Sequence, residues 1–291
     1  MKYKIEHITE YRYSEPASLS QNEIFLSPRE MVTQRVIENV VTISPEPQYY
    51  HQRVDYFGNL VHVFMVQHPH SELIVKASSI VESLPLNIPI TTMTLPWELV
   101  VKCLLQHSLQ EEREAYQFVF PSPLISVKDE IIAFALQSFP PGKPVLEGAM
   151  NLIHRIFTEF TYDKTATTVD TSVEQVMAKK RGVCQDFAHF AISCLRGLGL
   201  AARYVSGYLE TLPPPGKEKL VGVDASHAWL SLYIPDIGWV DLDPTNNVIP
   251  GHQHITIAWG RDYGDVTPVK GVVMGGGVHN LSVTVDMKVV I

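Results

Sequence analysis

The chain has 291 residues, 45% of them apolar and 19% charged, a composition that suits one large or two ordinary folded domains and excludes a disordered, highly charged polypeptide. Its net charge is −8 and no Lys/Arg run exceeds the three residues Lys179-Lys180-Arg181, which argues against nucleic acid or an anionic membrane as a partner. Met1–His7 lacks the apolar core of a signal peptide, no apolar run approaches the roughly 20 residues that span a bilayer, and Cys103, Cys184 and Cys194 have neither pairing nor zinc-ribbon spacing. A cytoplasmic protein with reduced thiols and no membrane contact is expected.

Residues 1–85 read as strands. Tyr3, Ile5, His7, Thr9, Tyr11 and Tyr13 alternate with Lys4, Glu6, Glu10 and Arg12, which is the period of a half-buried strand. Val36–Ile43, Leu60–Val66 and Leu73–Val81 are further β-rich runs, separated by Ser44-Pro45-Glu46-Pro47, Phe57-Gly58-Asn59 and His68-Pro69-His70. Strands at this spacing with no helix between them predict an antiparallel β-sandwich. His68-Pro69-His70 has no acid or thiol cluster beside it and reads as structural.

Prolines at 85, 89, 96, 121, 123, 140, 141 and 144 break residues 86–145 into short pieces, with one helix over Asp129–Ser138 that presents Ile132, Ala135 and Leu136. This segment connects two units and shows no chemistry. The second unit, 146–291, opens with Leu146, Ala149, Met150, Ile153 and Phe157 at helical spacing. Thr171-Ser172-Val173-Glu174 is a capping box that starts a short helix through Lys180. Lys180-Arg181-Gly182-Val183 then leads into Cys184, with Gly182 supplying freedom for a sharp turn, and Phe187, Ala188, Ala191, Leu195 and Leu198 trace a helix that ends at Gly197 and Gly199. Strands follow over Ala202–Glu210, Ser226–Ile234 and Trp239–Asp243, the first two joined by the stiff loop Leu212-Pro213-Pro214-Pro215-Gly216-Lys217. The strand Leu281–Val290 pairs with an existing sheet, and in His252-Gln253-His254 no third metal ligand is evident nearby.

A thiol in the first turn of a helix faces unpaired backbone N–H groups and the positive end of the dipole, a setting that favours the nucleophilic thiolate. Such a nucleophile needs a base and a group to orient that base. His227 opens a strand, and Asp241 and Asp243 share one face of the next, so either carboxylate could hold the imidazole. If Asp236-Ile237-Gly238 alone formed the loop, Asp243 would face Ser231, roughly 13 Å along the strand from His227. A His227–Asp243 contact therefore calls for a wider loop or a bulge, and a tight, regular hairpin counts against it.

These residues carry a resemblance. Arg181-Gly182-Val183-Cys184-Gln185-Asp186-Phe187-Ala188-His189, the run Leu198–Tyr208, Ser226-His227-Ala228-Trp229 and Gly238-Trp239-Val240-Asp241-Leu242-Asp243-Pro244-Thr245 resemble the bacterial transglutaminase-like proteins of the papain-like cysteine-enzyme superfamily. Asp55-Tyr56-Phe57-Gly58-Asn59 looks like that family's β domain, and Gly260-Arg261-Asp262-Tyr263-Gly264-Asp265 extends the likeness toward the C-terminus.

The resemblance implies an α+β chain: an N-terminal antiparallel β-sandwich, then a papain-like core with the nucleophile helix packed on an antiparallel sheet. It makes Cys184 the nucleophile, His227 the base and Asp243, rather than Asp241, the orienter. Tyr162 matches an upstream aromatic donor that, with the Cys184 N–H, would hold an oxyanion. Asp186 supports the turn or a neighbouring loop, His189 and Cys194 belong to packing, and Arg261, Asp262 and Tyr263 could line the site mouth. The implied activity is acyl transfer from a peptide or protein amide through a Cys184 thioester, with hydrolysis favoured. Amine transfer and a silent peptide-binding module are the alternatives. No cofactor or metal is called for, and no dense carboxylate loop suggests calcium.

Overall fold

β1 (Lys2–Ile24) is the spine of the N-terminal unit in this structure, a computed structural model that describes residues 1–84, 94–211 and 225–290. The expected loop Leu212–Lys217 lies outside the described residues. β1 buries Tyr3, Ile5, His7 and Thr9 on alternate positions, as its two-residue period requires. β2 (Gln34–Ser44), β3 (Tyr49–Val54), β4 (Leu60–Val66) and β5 (His70–Ser83) join it in the order β2-β5-β1-β4-β3. Lys2–Arg12 pair with β5, whereas Ser20–Ile24 pair with β4, and the register shifts in between, where Pro16 has no N–H to give a ladder. The two halves enclose a core of Tyr13, Ala17, Ile24, Phe64, Val66, Leu73 and Val75, which makes the unit a sandwich. β3 escapes the sequence reading because all six of its residues are exposed and no apolar alternation marks it.

α1 (Trp97–Gln106) starts directly after Pro96, and α2 (Gln110–Tyr116) follows within a few residues; neither helix is visible among the prolines of the sequence. α3 (Asp129–Leu136) and α4 (Val145–Glu159) form where expected, but their buried faces are rotated. α3 buries Ile131, Phe134 and Ala135 rather than Leu136, and α4 buries Leu152 and Ile156 while Phe157 is exposed. The short strand β6 (Thr161–Tyr162), helix α5 (Val173–Lys179) and strand β7 (Arg181–Gly182) lead to α6 (Cys184–Gly197). The cap of α5 is one residue later than the capping box suggests: Ser172 Oγ accepts from the Gln175 N–H.

α6 is buried on all sides from Asp186 to Arg196, so its core face is not the single stripe that periodicity predicts. It packs on β8 (Ala202–Leu209) and β9 (Ala225–Ile234), which lie in a sheet with β10 (Gly238–Leu242) and β11 (His254–Gly260) in the order β10-β9-β8-β11. Trp229, Ser231 and Tyr233 on the second face of β9 are buried as well, so this sheet is covered on both sides.

The outer edge of β11 is closed by two side-chain amides from the N-terminal unit. Gln34 accepts from the Thr256 N–H at 2.9 Å and donates to the Thr256 C=O at 2.8 Å. Asn59 does the same for Trp259, at 3.0 and 2.9 Å. β12 (Val269–Gly275) and β13 (His279–Val290) then return to pair with β1, so the N-terminal sheet is built from both ends of the chain.

Candidate active site

Cys184 is the first residue of α6, half-buried, and the first intrahelical bond runs from the Phe187 N–H to the Val183 C=O. The N–H groups of Cys184, Gln185 and Asp186 therefore have no acceptor within the helix. Asp186 fixes this turn: its Oδ2 accepts from the Val183 N–H and from Thr167 Oγ1, each at 2.7 Å. Gly182 is needed for space, not for an unusual backbone angle, which corrects the reading of a sharp turn there. A Cβ on it would lie 2.6 Å from Asp186 Oδ2 and 2.8 Å from Asp186 Cβ. Pairing of β6 with β7 sets Tyr162 beside Gly182. The Tyr162 hydroxyl is pushed above its ordinary pKa by burial, then by the charges of Cys184 and Asp186.

His227 and Asp243 meet. Their Nε2 and Oδ2 atoms are 2.7 Å apart and both residues are buried. The hairpin that carries them is nonetheless tight and regular: Ile234 pairs with Gly238, and Asp241 rather than Asp243 faces Ser231. This overturns the expectation that a tight hairpin keeps the two residues apart. Extending the register sets Asp243 opposite Trp229, which makes His227 its diagonal neighbour, a separation of about 7–8 Å that two side chains can close. Asp236 and Gly238, with φ of 66° and 89°, give the turn its short form. Asp241 is engaged elsewhere, its Oδ2 accepting from Trp229 Nε1–H at 3.1 Å.

Asp243 lies just past β10, where its backbone bridges to Val248 and Pro244 ends the strand. Its Oδ1 accepts from the Thr245 and Asn246 N–H groups at 2.8 and 3.1 Å, an Asx turn that anchors the carboxylate and aims Oδ2 at the imidazole. Burial alone would raise the Asp243 pKa, but hydrogen bonds from His227 and His254 outweigh it and hold the carboxyl below its ordinary range. Burial likewise disfavours the His227 imidazolium, and hydrogen bonds to Asp243 and Cys184 reverse this and raise its pKa above 6.5. With Nε2 given to Asp243, Nδ1 is the ring nitrogen left for the thiol.

Two residues of this cluster were not placed at the site by sequence reasoning. Asn246 Nδ2 donates to Asp243 Oδ2 at 2.7 Å, and His254 Nε2 lies 3.0 Å from the same oxygen. The expectation that His254 has no third ligand nearby is thereby corrected: His227, Asp243 and His254 each offer a ligand atom, all within 4.8 Å of one another. By spacing, these three could hold an ion. Their N–O distances of 2.7 and 3.0 Å are those of imidazole N–H groups bonded to a carboxylate acceptor. The signal for His254 was the His-x-His motif itself, although His252 is exposed.

The other sequence candidates fall as follows. His189 is buried and its Nε2 accepts from the Tyr263 N–H, and Cys194 is fully buried. Asp262 is buried and accepts from the Leu124 and Gly264 N–H groups, while Arg261 pairs with Asp265. Tyr263 meets Tyr204 edge-on, and the Tyr204 hydroxyl is raised in pKa by burial, then by the Cys184 charge.

Comparison with known proteins gives transglutaminase-like family matches over two stretches of the chain. The bacterial transglutaminase-like N-terminal region matches residues 3–82 and the transglutaminase-like superfamily matches 133–244. An uncharacterized Mycobacterium tuberculosis protein is 38% identical over 294 residues, covering 98% of this chain and 92% of that protein. A protein-glutamine gamma-glutamyltransferase of Pseudomonas aeruginosa is 34% identical over 92 residues, which is 31% of this chain and 14% of that enzyme. A crystal structure from Cytophaga hutchinsonii, described as a candidate cysteine protease, shares the fold with a TM-score of 0.77 at 20% identity, covering 99% of this chain and 90% of that one. On these matches the chain belongs to the transglutaminase-like superfamily and carries its bacterial N-terminal region.

Proposed function

We propose that the protein is a cysteine-dependent acyl-transfer enzyme that opens a peptide or related amide bond through a thioester on Cys184. The observation that carries this reading is the buried bond from His227 to Asp243, with Cys184 among the groups that raise the pKa of the same imidazole. His227 takes the thiol proton, and the imidazolium that forms is stabilised by Asp243. The thiolate adds to the carbonyl carbon, and the developing oxyanion is held by the Cys184 N–H and by Tyr162. Collapse breaks the C–N bond as His227 returns the proton to the leaving amine. Water, deprotonated by His227, then displaces the thiolate and releases the acid.

Hydrolysis is the favoured outcome because the half-buried thiol is open to water, whereas transfer requires a second, shielded site for the amine. The transferase reading is supported by the partial likeness to the Pseudomonas enzyme. The deciding experiment incubates the protein, beside Cys184→Ala, with a library of Gln- and Asn-containing peptides, with and without a primary amine, and follows masses. Cleavage or deamidation that ignores the amine and vanishes in Cys184→Ala is expected. Amine adducts lost in the variant would name a transferase, and no Cys184-dependent product together with an inert thiol would leave a binding module.

A further inference from the structure

The mechanism above gives no task to one titratable group that touches the His227–Asp243 pair. His254, at the start of β11, is 7% exposed at its side chain. Its Nε2 lies 3.0 Å from Asp243 Oδ2 and its Nδ1 has no hydrogen-bond partner. Among the described residues the bond to Asp243 is thus the one hydrogen bond that its ring makes, and the ring is held for it: Trp229 meets it edge-on at 5.2 Å and 84°. A histidine that served only to fill space would gain nothing from burying two polar nitrogens.

We infer that His254 is a positioning residue for the His227–Asp243 pair, a second imidazole that fixes the carboxylate oxygen to which His227 is bound. This rests on the function proposed for Cys184 and His227. Asp243 Oδ1 is anchored by its own turn, but Oδ2 faces three donors, His227, Asn246 and His254, from different parts of the fold. Asn246 belongs to the same turn as Asp243 and moves with it. His254 comes from the opposite edge strand of the sheet, so it alone ties the carboxylate to β11. His254 donates to Oδ2 through Nε2–H; the bond favours the ionised carboxylate, which in turn favours the imidazolium on His227. The charged and titratable groups around it are His227 on β9, Asp241 and Asp243 on and just past β10, and Arg203 on β8 and Glu30, which line a 470 Å³ cavity with His254.

The test needs no substrate. The rate of Cys184 alkylation by iodoacetamide, read at that residue by mass spectrometry, is followed across pH in wild type, His227→Ala, His254→Leu, His254→Gln and His254→Asn. His254→Leu is expected to slow alkylation by about tenfold, the size of one charge-assisted hydrogen bond, and to move the acid limb of the profile to higher pH, because Asp243 loses a donor that keeps it ionised. His254→Gln, whose amide reaches Oδ2, restores most of the rate, and His254→Asn, which is too short, does not. A merely structural histidine would lower the melting temperature and leave the pH profile of the folded protein in place. If His254→Leu does not fold, the Gln and Asn variants decide, and equal rates in the two overturn the proposal. If His227→Ala slows alkylation while His254→Leu matches wild type, His254 has no such role and the reading of the site stands. If His227→Ala itself leaves the rate and its pH dependence unchanged, the reading of the site fails first.

Discussion

Asp243 and His227 each hold the other's charge, and stability then depends on pH in a definite sense. The Asp243 pKa is depressed, so its contribution is present above the ordinary carboxylate range and is lost only as pH falls through the lower folded value. The His227 pKa is raised, so its contribution is complete below about 6.5 and is lost as pH rises through the higher folded value. Asp243→Asn is therefore expected to cost about 3 kcal/mol in urea unfolding near pH 6, the scale of breaking one partner of a buried pair. The gap to wild type narrows as pH climbs past the folded value of the imidazole. A gap that stays constant with pH would mean that the two side chains do not share charge. Cys184 and His227 could be found in the sequence because reactive residue types in that order are rare, whereas alternation left Asp241 and Asp243 equal and only the family resemblance favoured Asp243. His254 could not, since two strands separate β11 from β10 in the sheet, and periodicity says nothing about sheet order.

The elements most legible in the sequence are those with one wet face and one dry face, such as β1, whose alternation survives almost intact. β11 was hidden for the opposite reason. It is buried along most of its length, and a strand buried on both faces shows an apolar run in place of alternation. The same burial explains what Gln34 does. An edge strand inside the protein has N–H and C=O groups that water cannot reach, and Gln34, itself 3% exposed, satisfies both of those on Thr256. Replacing it with Ala is expected to leave a buried donor and acceptor unpaired and to cost about 2 kcal/mol by chemical denaturation. The amide proton of Thr256 should exchange faster with solvent in the same variant. Unchanged exchange at Thr256 would show that β11 does not depend on this clamp.

At the scale of the whole molecule the order of the chain and the order of the fold part company. Twelve residues of β1, Lys2–Tyr13, pair with β13, and β12 covers β1 from Ala17 to Ile24. The N-terminal family match ends at residue 82, and the sequence reads as a self-contained strand unit up to 85, yet its central strand is flanked by the last two strands of the chain. Without them β1 would present a long unpaired edge, and Ile5 and His7 would lose their cross-strand partners Met287 and Val285, both buried. Residues 1–84 expressed alone are therefore expected to show no cooperative unfolding transition and to associate. The same residues joined by a flexible linker to 266–290 should unfold as a unit. The comparison separates two ideas of how the protein is built. If residues 1–84 fold alone, the terminal strands are an addition to a finished sandwich. If they fold only with 266–290, the sheet closes after the rest of the chain has been made, and the Gln34 and Asn59 clamps on β11 then dock a unit that already contains both ends.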